Sequence, residues 1–141
     1  MQSIFRPLNL SLLAAGLCVA GVASAASIEV RVQGITEVKG TVRVAVCDKA
    51  TFLKDCPYSA SAPAKQGETI VTVNDVPPGN WAVLSCLDEN DNGQLDRNIL
   101  GIPKEPYAFS REARGRFGPP SFEDAAFTVR EEKAVSHIKL R

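Results

Sequence analysis

The densest run of hard-cation oxygens in this chain is DENDNGQLD at residues 88–96. Calcium takes about six to eight oxygen ligands, and looped calcium sites supply them from alternating positions. Asp88, Asn90 and Asn92 are spaced to give side-chain oxygens, Gln94 to give its backbone carbonyl, and Asp96 to bind directly or through water. Gly93 permits the sharp turn and Leu95 ties the loop to a core. Ile99 stands where a complete EF-hand loop carries its bidentate glutamate, and no helical pattern flanks the run, so an EF-hand is excluded. Glu105 or a loop carbonyl would have to complete the shell. With Asp88 and Asp96 the only charged ligands, Ca2+ is the expected cofactor at modest affinity. The same residues also suit a metal-free turn, in which Asn and Asp side chains bond their own backbone.

A second group lies downstream. Tyr107, Arg111, Arg114 and Arg116 interleave an aromatic with cations, a composition that anchors interfaces. The alternative role for the aromatics Tyr107, Phe109, Phe117 and Phe122 is to pin a long loop onto a sheet. His137 is the only histidine, and its alternation with Ile138 and Leu140 puts it on a polar face beside Lys139 and Arg141. Without it, triads that need an imidazole base have none. Glu105 with Asp88 or Asp96 leaves a paired-carboxylate hydrolase as the alternative to a binding protein. No catalytic residue is assigned.

These groups sit in a chain that reads as exported. Arg6 precedes an apolar run over 8–22, and Ala23, Ser24 and Ala25 supply the small residues of a cleavage site. The run is shorter than the ~20 apolar residues that span a bilayer. A signal peptide over 1–25 and one β-sandwich domain over 26–141 follow, with a periplasmic or secreted destination and no transmembrane segment in the mature chain. Cys18 follows Leu17 rather than a small residue, which argues against a lipoprotein. Sixteen basic residues balance sixteen acidic ones, so there is no electrostatic footprint for nucleic acid. The expected partner is a cell-envelope protein or glycan.

An oxidising compartment lets disulfides persist. Cys47 and Cys56 bracket a short segment and are the expected pair, leaving Cys86 as a buried thiol. Pairing of Cys86 with either of them is the alternative.

The elements that must position these residues are strands. Ile28, Val30 and Val32 alternate with polar residues, and so do Val42, Val44 and Val46. Residues 69–73 form a third strand, the prolines and glycine of 74–80 a turn, and 81–87 a strand apolar on both faces, hence central. Residues 125–129 and 135–140 close the domain, the last with Ser136, Ile138 and Leu140 on one face. Phe52 and Leu53 suit one helical turn, and 59–67 reads as loop. The stretch from 88 to about 120 is rich in Gly and Pro and has no strand pattern. A loop of that length in a compact domain implies function.

Several segments together resemble the DUF2141 family, exported bacterial proteins of unknown function. They are GTVRVAV at 40–46, VPPGNWAV at 76–83, the acidic run at 88–96, GIPKEPYAFS at 101–110 and FGPPSFEDA at 117–125. Ala108 stands where that family more often has Gly. The resemblance implies a sandwich of Ig-like or transthyretin-like type and assigns no activity; with the loop read above, the expected fold is an all-β antiparallel sandwich with one long functional loop. An exported binding or accessory module, stabilised by calcium at 88–96, is therefore the expected function.

Overall fold

A computed structural model of the chain describes residues 25–130 and 132–141. The signal peptide expected over 1–25 lies outside the described residues, apart from Ala25. Eight strands follow: β1 (Ala26–Ile35), β2 (Thr41–Cys47), β3 (Tyr58–Pro63), β4 (Gly67–Val76), β5 (Gly79–Asp88), β6 (Tyr107–Phe109), β7 (Phe127–Val129) and β8 (Lys133–Lys139). One short helix, α1 (Phe122–Ala125), precedes β7.

The strands form two sheets, ordered β4-β1-β8 and β3-β2-β5-β6, with β7 pairing the start of β5. This is the expected all-β sandwich. Every strand pairing is antiparallel except one: β1 and β8 run parallel, with Val30 opposite Ser136 and Val32 opposite Ile138. The last strand therefore joins the sheet beside the first.

Period-two patterning builds the core. Ile28, Val30 and Val32 of β1 and Val42, Val44 and Val46 of β2 are buried, while the residues between them are more exposed. Val71 and Val73 of β4, Trp81, Val83 and Leu87 of β5, and Ile138 complete the layer between the sheets. Trp81 donates its indole N–H to the Pro77 carbonyl at 2.8 Å and meets Tyr58 edge-on.

Strand β5 is central, as its double apolar pattern requires. Its other face carries Ala82 and Leu84, covered by Phe109, Phe52, Phe122 and Ala125 in a second, smaller cluster. The long stretch after Asp88 is thus a third layer laid over the outer face of the β2-β5-β6 sheet.

Several local readings change, among them the stretch from 88 to about 120, which carries the short strand β6, and the turn expected over 74–80, whose last two residues begin β5. Residues 59–63, expected as loop, belong to β3, an edge strand made of Tyr, Ser and Ala. Small residues carry no strand signal of their own, and pairing with β2 extends them. The third strand runs to Val76, further than its apolar pattern. Phe52 and Leu53 form a hydrogen-bonded turn rather than a helix, with Phe52 N–H bonded to the Asp48 carbonyl and Leu53 at positive φ. Residues 125–129 divide into the end of α1 and β7. Ser121 caps α1 by accepting from the Asp124 N–H.

Cys47 and Cys56 are joined in a disulfide that closes the turn after β2, and Cys86 is free and buried. Burial first, and then the charges of Glu105 and Asp88, push the Cys86 thiol up to about 11, which keeps it protonated and unreactive. The bridge spans nine positions in sequence, a short loop. Reducing it, or replacing both cysteines with serine, is expected to cost about 2–3 kcal/mol in the chain-entropy account. Urea denaturation with and without reductant measures this.

Candidate functional site

Asp88 is the last residue of β5 and is 0% exposed. Its side chain leaves the outer face of the sheet next to Arg43 of β2. Thr41 is directly opposite Asp88 in the register, so Arg43 is its diagonal neighbour on the same face. Arg43 Nε donates to Asp88 Oδ2 at 2.7 Å. The same oxygen accepts the Gly93 N–H at 2.8 Å, and Oδ1 accepts the Asn92 N–H at 3.2 Å. Burial alone raises this carboxyl, but the Arg43 hydrogen bond, the two backbone N–H groups and the Arg43 charge together hold it below the usual carboxylate range.

The rest of the loop closes on itself. Asn90 and Asn92 both donate side-chain N–H to the Asp96 carboxylate, each at 2.7 Å. Asn92 Oδ1 accepts the Gln94 N–H at 2.9 Å, an Asx turn. Buried Glu105 clamps the two ends: Oε1 accepts the Glu89 N–H at 3.0 Å and Oε2 accepts the Asp96 N–H at 3.1 Å. Gly40, at φ +79°, makes room for this arrangement, since a Cβ there would lie 2.1 Å from the Asp88 carbonyl oxygen.

Hydrogen bonds therefore link Asp88, Asn90, Asn92 and Asp96 within one loop, and Gln94 joins it through its N–H rather than its carbonyl. The structure also satisfies both carboxylates from within the protein. Among the described residues no three His, Cys, Asp or Glu side chains gather as ion ligands. A calcium ion fits this donor set only if the Asn90 and Asn92 amides turn their oxygens toward Asp96. Glu105 serves backbone N–H groups rather than the mouth of a site. Arg43 is the residue that spacing missed, its one available signal being a charge in the middle of the mostly apolar β2; Glu105 was singled out from the sequence, but as an ion ligand or hydrolase carboxylate rather than as a clamp.

Past Asp96 a second turn is built on Asn98, whose Oδ1 accepts the N–H groups of Leu100 and Ile102. A bridge between Arg97 and Pro103 closes it. The turn is so tight that its apolar residues face outward. Leu100 is 77% exposed, Ile102 56%, and Ile99 fully so.

Leu84, Leu95, Leu100, Ile102 and Phe117 line an open cleft of about 910 Å³ on the outer face of the sheet, with Lys54, Asp55 and Arg97 also on its wall. That volume is within the roughly 300–1,000 Å³ range of small-molecule pockets. The chain belongs to the DUF2141 family. Its model, described as an uncharacterized protein conserved in bacteria, matches residues 30–137. No curated protein and no solved structure matches the chain.

The DUF2141 chain divides its downstream residues between two jobs. Tyr107, Phe109 and Phe122 pin the outer layer, with Phe52 meeting Phe109 and Phe122 at 5.9 and 5.8 Å. Phe117 does not pin anything; it is fully exposed beside the cleft, because the prolines and glycines around it leave no strand to pack against. Arg111, Arg114 and Arg116 are all exposed. Arg111 donates to the Ala126 carbonyl at 3.1 Å, so its head is engaged within the domain. Ser110, also missed from sequence, anchors this region: its buried hydroxyl accepts the Val83 N–H and donates to the Ala125 carbonyl. Asp88, Asp96 and Glu105 do not line the cleft.

A depressed folded-state pKa stabilises the fold above the unfolded value, near ~3.9 for Asp, and that contribution is lost as pH falls through the folded value. Arg43→Met leaves Asp88 buried without its cation. At pH 7 a loss of about 1–3 kcal/mol is expected, narrowing below pH ~4, where the variant carries a neutral Asp88. Urea midpoints at the two pH values check this; an equal loss at both would place the Arg43 contribution in packing.

Proposed function

We propose that this chain is an exported binding module of the cell envelope, and that the ligand occupies the cleft on the outer face of the β2-β5-β6 sheet. One observation carries the reading: a tight, internally bonded turn holds Leu100 and Ile102 largely in solvent on the wall of an open concavity, with Ile99 exposed beside them in the chain. Folding normally buries such side chains, and an exposed apolar patch beside a cleft marks a binding surface. Phe117 extends the patch from the opposite loop. Export is supported by the disulfide, which persists in oxidising compartments, and by the leader composition of 1–25. Among the described residues no helix is long and apolar enough to cross a membrane.

In this reading the acidic loop is the support of the cleft, and calcium tightens it without creating it. Asp88, Asn90, Asn92, Asp96 and the Gln94 carbonyl would hold the ion, which would neutralise Asp96 in place of the two amide donors. Because Arg43 already neutralises Asp88, affinity belongs in the millimolar range of extracellular modules. Calcium at several millimolar is expected to raise the melting temperature of chelator-treated protein by ~1–3 °C. No rise removes the ion and leaves the cleft standing.

The cleft itself is tested with Nile red, an uncharged apolar dye. Native protein is expected to enhance its fluorescence, and Leu100→Glu with Ile102→Glu to weaken binding about tenfold or more by charging the wall. Both positions are exposed, so the fold is retained. Absence of enhancement, or an unchanged affinity in the variant, would refute the reading.

A further inference from the structure

Loop 113–119 separates the apolar cleft from a second cavity. This one is about 250 Å³ and lies between that loop, β6 and the end of β8. Tyr107, Phe109, Gly115, Gly118 and Pro119 line both spaces, so the two share one wall and open on either side of it. Their chemistry differs. The larger wall holds Leu84, Leu95, Leu100, Ile102 and Phe117 together with Lys54, Asp55 and Arg97, whereas the smaller cavity carries the side-chain cations Arg114, Lys139 and Arg141 against the side-chain carboxylate of Glu112. Glu112 is engaged at 3.8 Å by Arg141, which leaves Arg114 and Lys139 without an ion-pair partner among the described residues.

We infer that the DUF2141 site takes a single-tailed anionic amphiphile, its alkyl chain in the apolar cleft and its head between Arg114 and Lys139. The inference rests on the cleft being the ligand site. An aliphatic trough alone would accept any hydrocarbon. The adjoining cations select the sign of the head, since their hydrogen bonds are strongest to a carboxylate or phosphate, weaker to the neutral hydroxyls of a sugar, and cannot form with a quaternary ammonium. Carboxylate and phosphate heads share this chemistry. The exposed positions of Arg114 and Lys139 let them reach a head that remains partly in water, so the full cost of burying a charge is avoided. Tail length then sets affinity, at roughly three- to fourfold per added methylene until the cleft is filled.

Competition against Nile red, below micelle-forming concentrations, tests this with four ten-carbon probes: decanoate, decyl phosphate, decyltrimethylammonium and decyl maltoside. The two anions are expected to displace the dye at about tenfold lower concentration than the cation and the uncharged probe. Arg114→Ala with Lys139→Ala should keep Nile red affinity and lose that preference. The ratio of decanoate to decyl phosphate identifies the preferred head, and either ratio agrees with the inference. Equal displacement by all four probes, or a preference unchanged in the double variant, overturns the amphiphile while the cleft stands. Failure of native protein to bind Nile red overturns both.

Discussion

The outer layer of this domain depends on one buried carboxylate. Asp88 ends the central strand with its side chain out of water, a position that would be costly unpaired. Arg43 from the neighbouring strand and two backbone N–H groups of the following turn meet it. The interaction links β2, β5 and the start of the long loop. A neutral residue at 88 would leave those N–H groups and the guanidinium with no common acceptor at the point where the chain leaves the sheet.

From that point the rest of the layer follows as a series of local closures. Glu105 returns to the acidic turn and joins its two ends. The Pro106 carbonyl accepts the Leu87 N–H, which sets β6 beside β5. Ser110 then ties the chain to both β5 and the end of α1. Each closure satisfies a polar group that would otherwise be unpaired under the loop, which is how so long a stretch with little regular structure packs against a sheet. The cost appears in the backbone: Asp91, Arg111 and Glu112 all adopt positive φ. Non-glycine residues hold that conformation only where their surroundings determine it.

The arrangement divides the apolar residues of the loop. Those on β6 and α1 pack on Ala82 and Leu84 and build the second cluster. Those in the Asn98 turn and at Phe117 stay in solvent. In the proposed reading, a sandwich with one covered outer face and an open trough beside it is a scaffold carrying a binding loop, the division of labour common to antiparallel folds. The exposed apolar residues are at the rim, while the Asp88 and Glu105 carboxylates beneath it are buried.

What the amino-acid sequence determined by itself was local and periodic. Alternation of Val30 and Val32, or Val44 and Val46, needs only a two-residue repeat to reveal a strand and its buried face. The apolar run at 81–87 identified the central strand, the nine-position spacing identified the disulfide pair, and the oxygen-rich run marked the loop that matters. Tertiary structure alone decided what those oxygens face. Asp88 meets Arg43 across a strand pairing 45 positions apart, and Glu105 reaches backbone N–H groups 9 and 16 positions away. No spacing rule encodes such partners, because they arise from register and from where a loop lands. The edge strand of Tyr, Ser and Ala and the parallel pairing of β8 escaped for the same reason. Both are set by the neighbour a segment finds, and a segment's own composition carries no record of that neighbour.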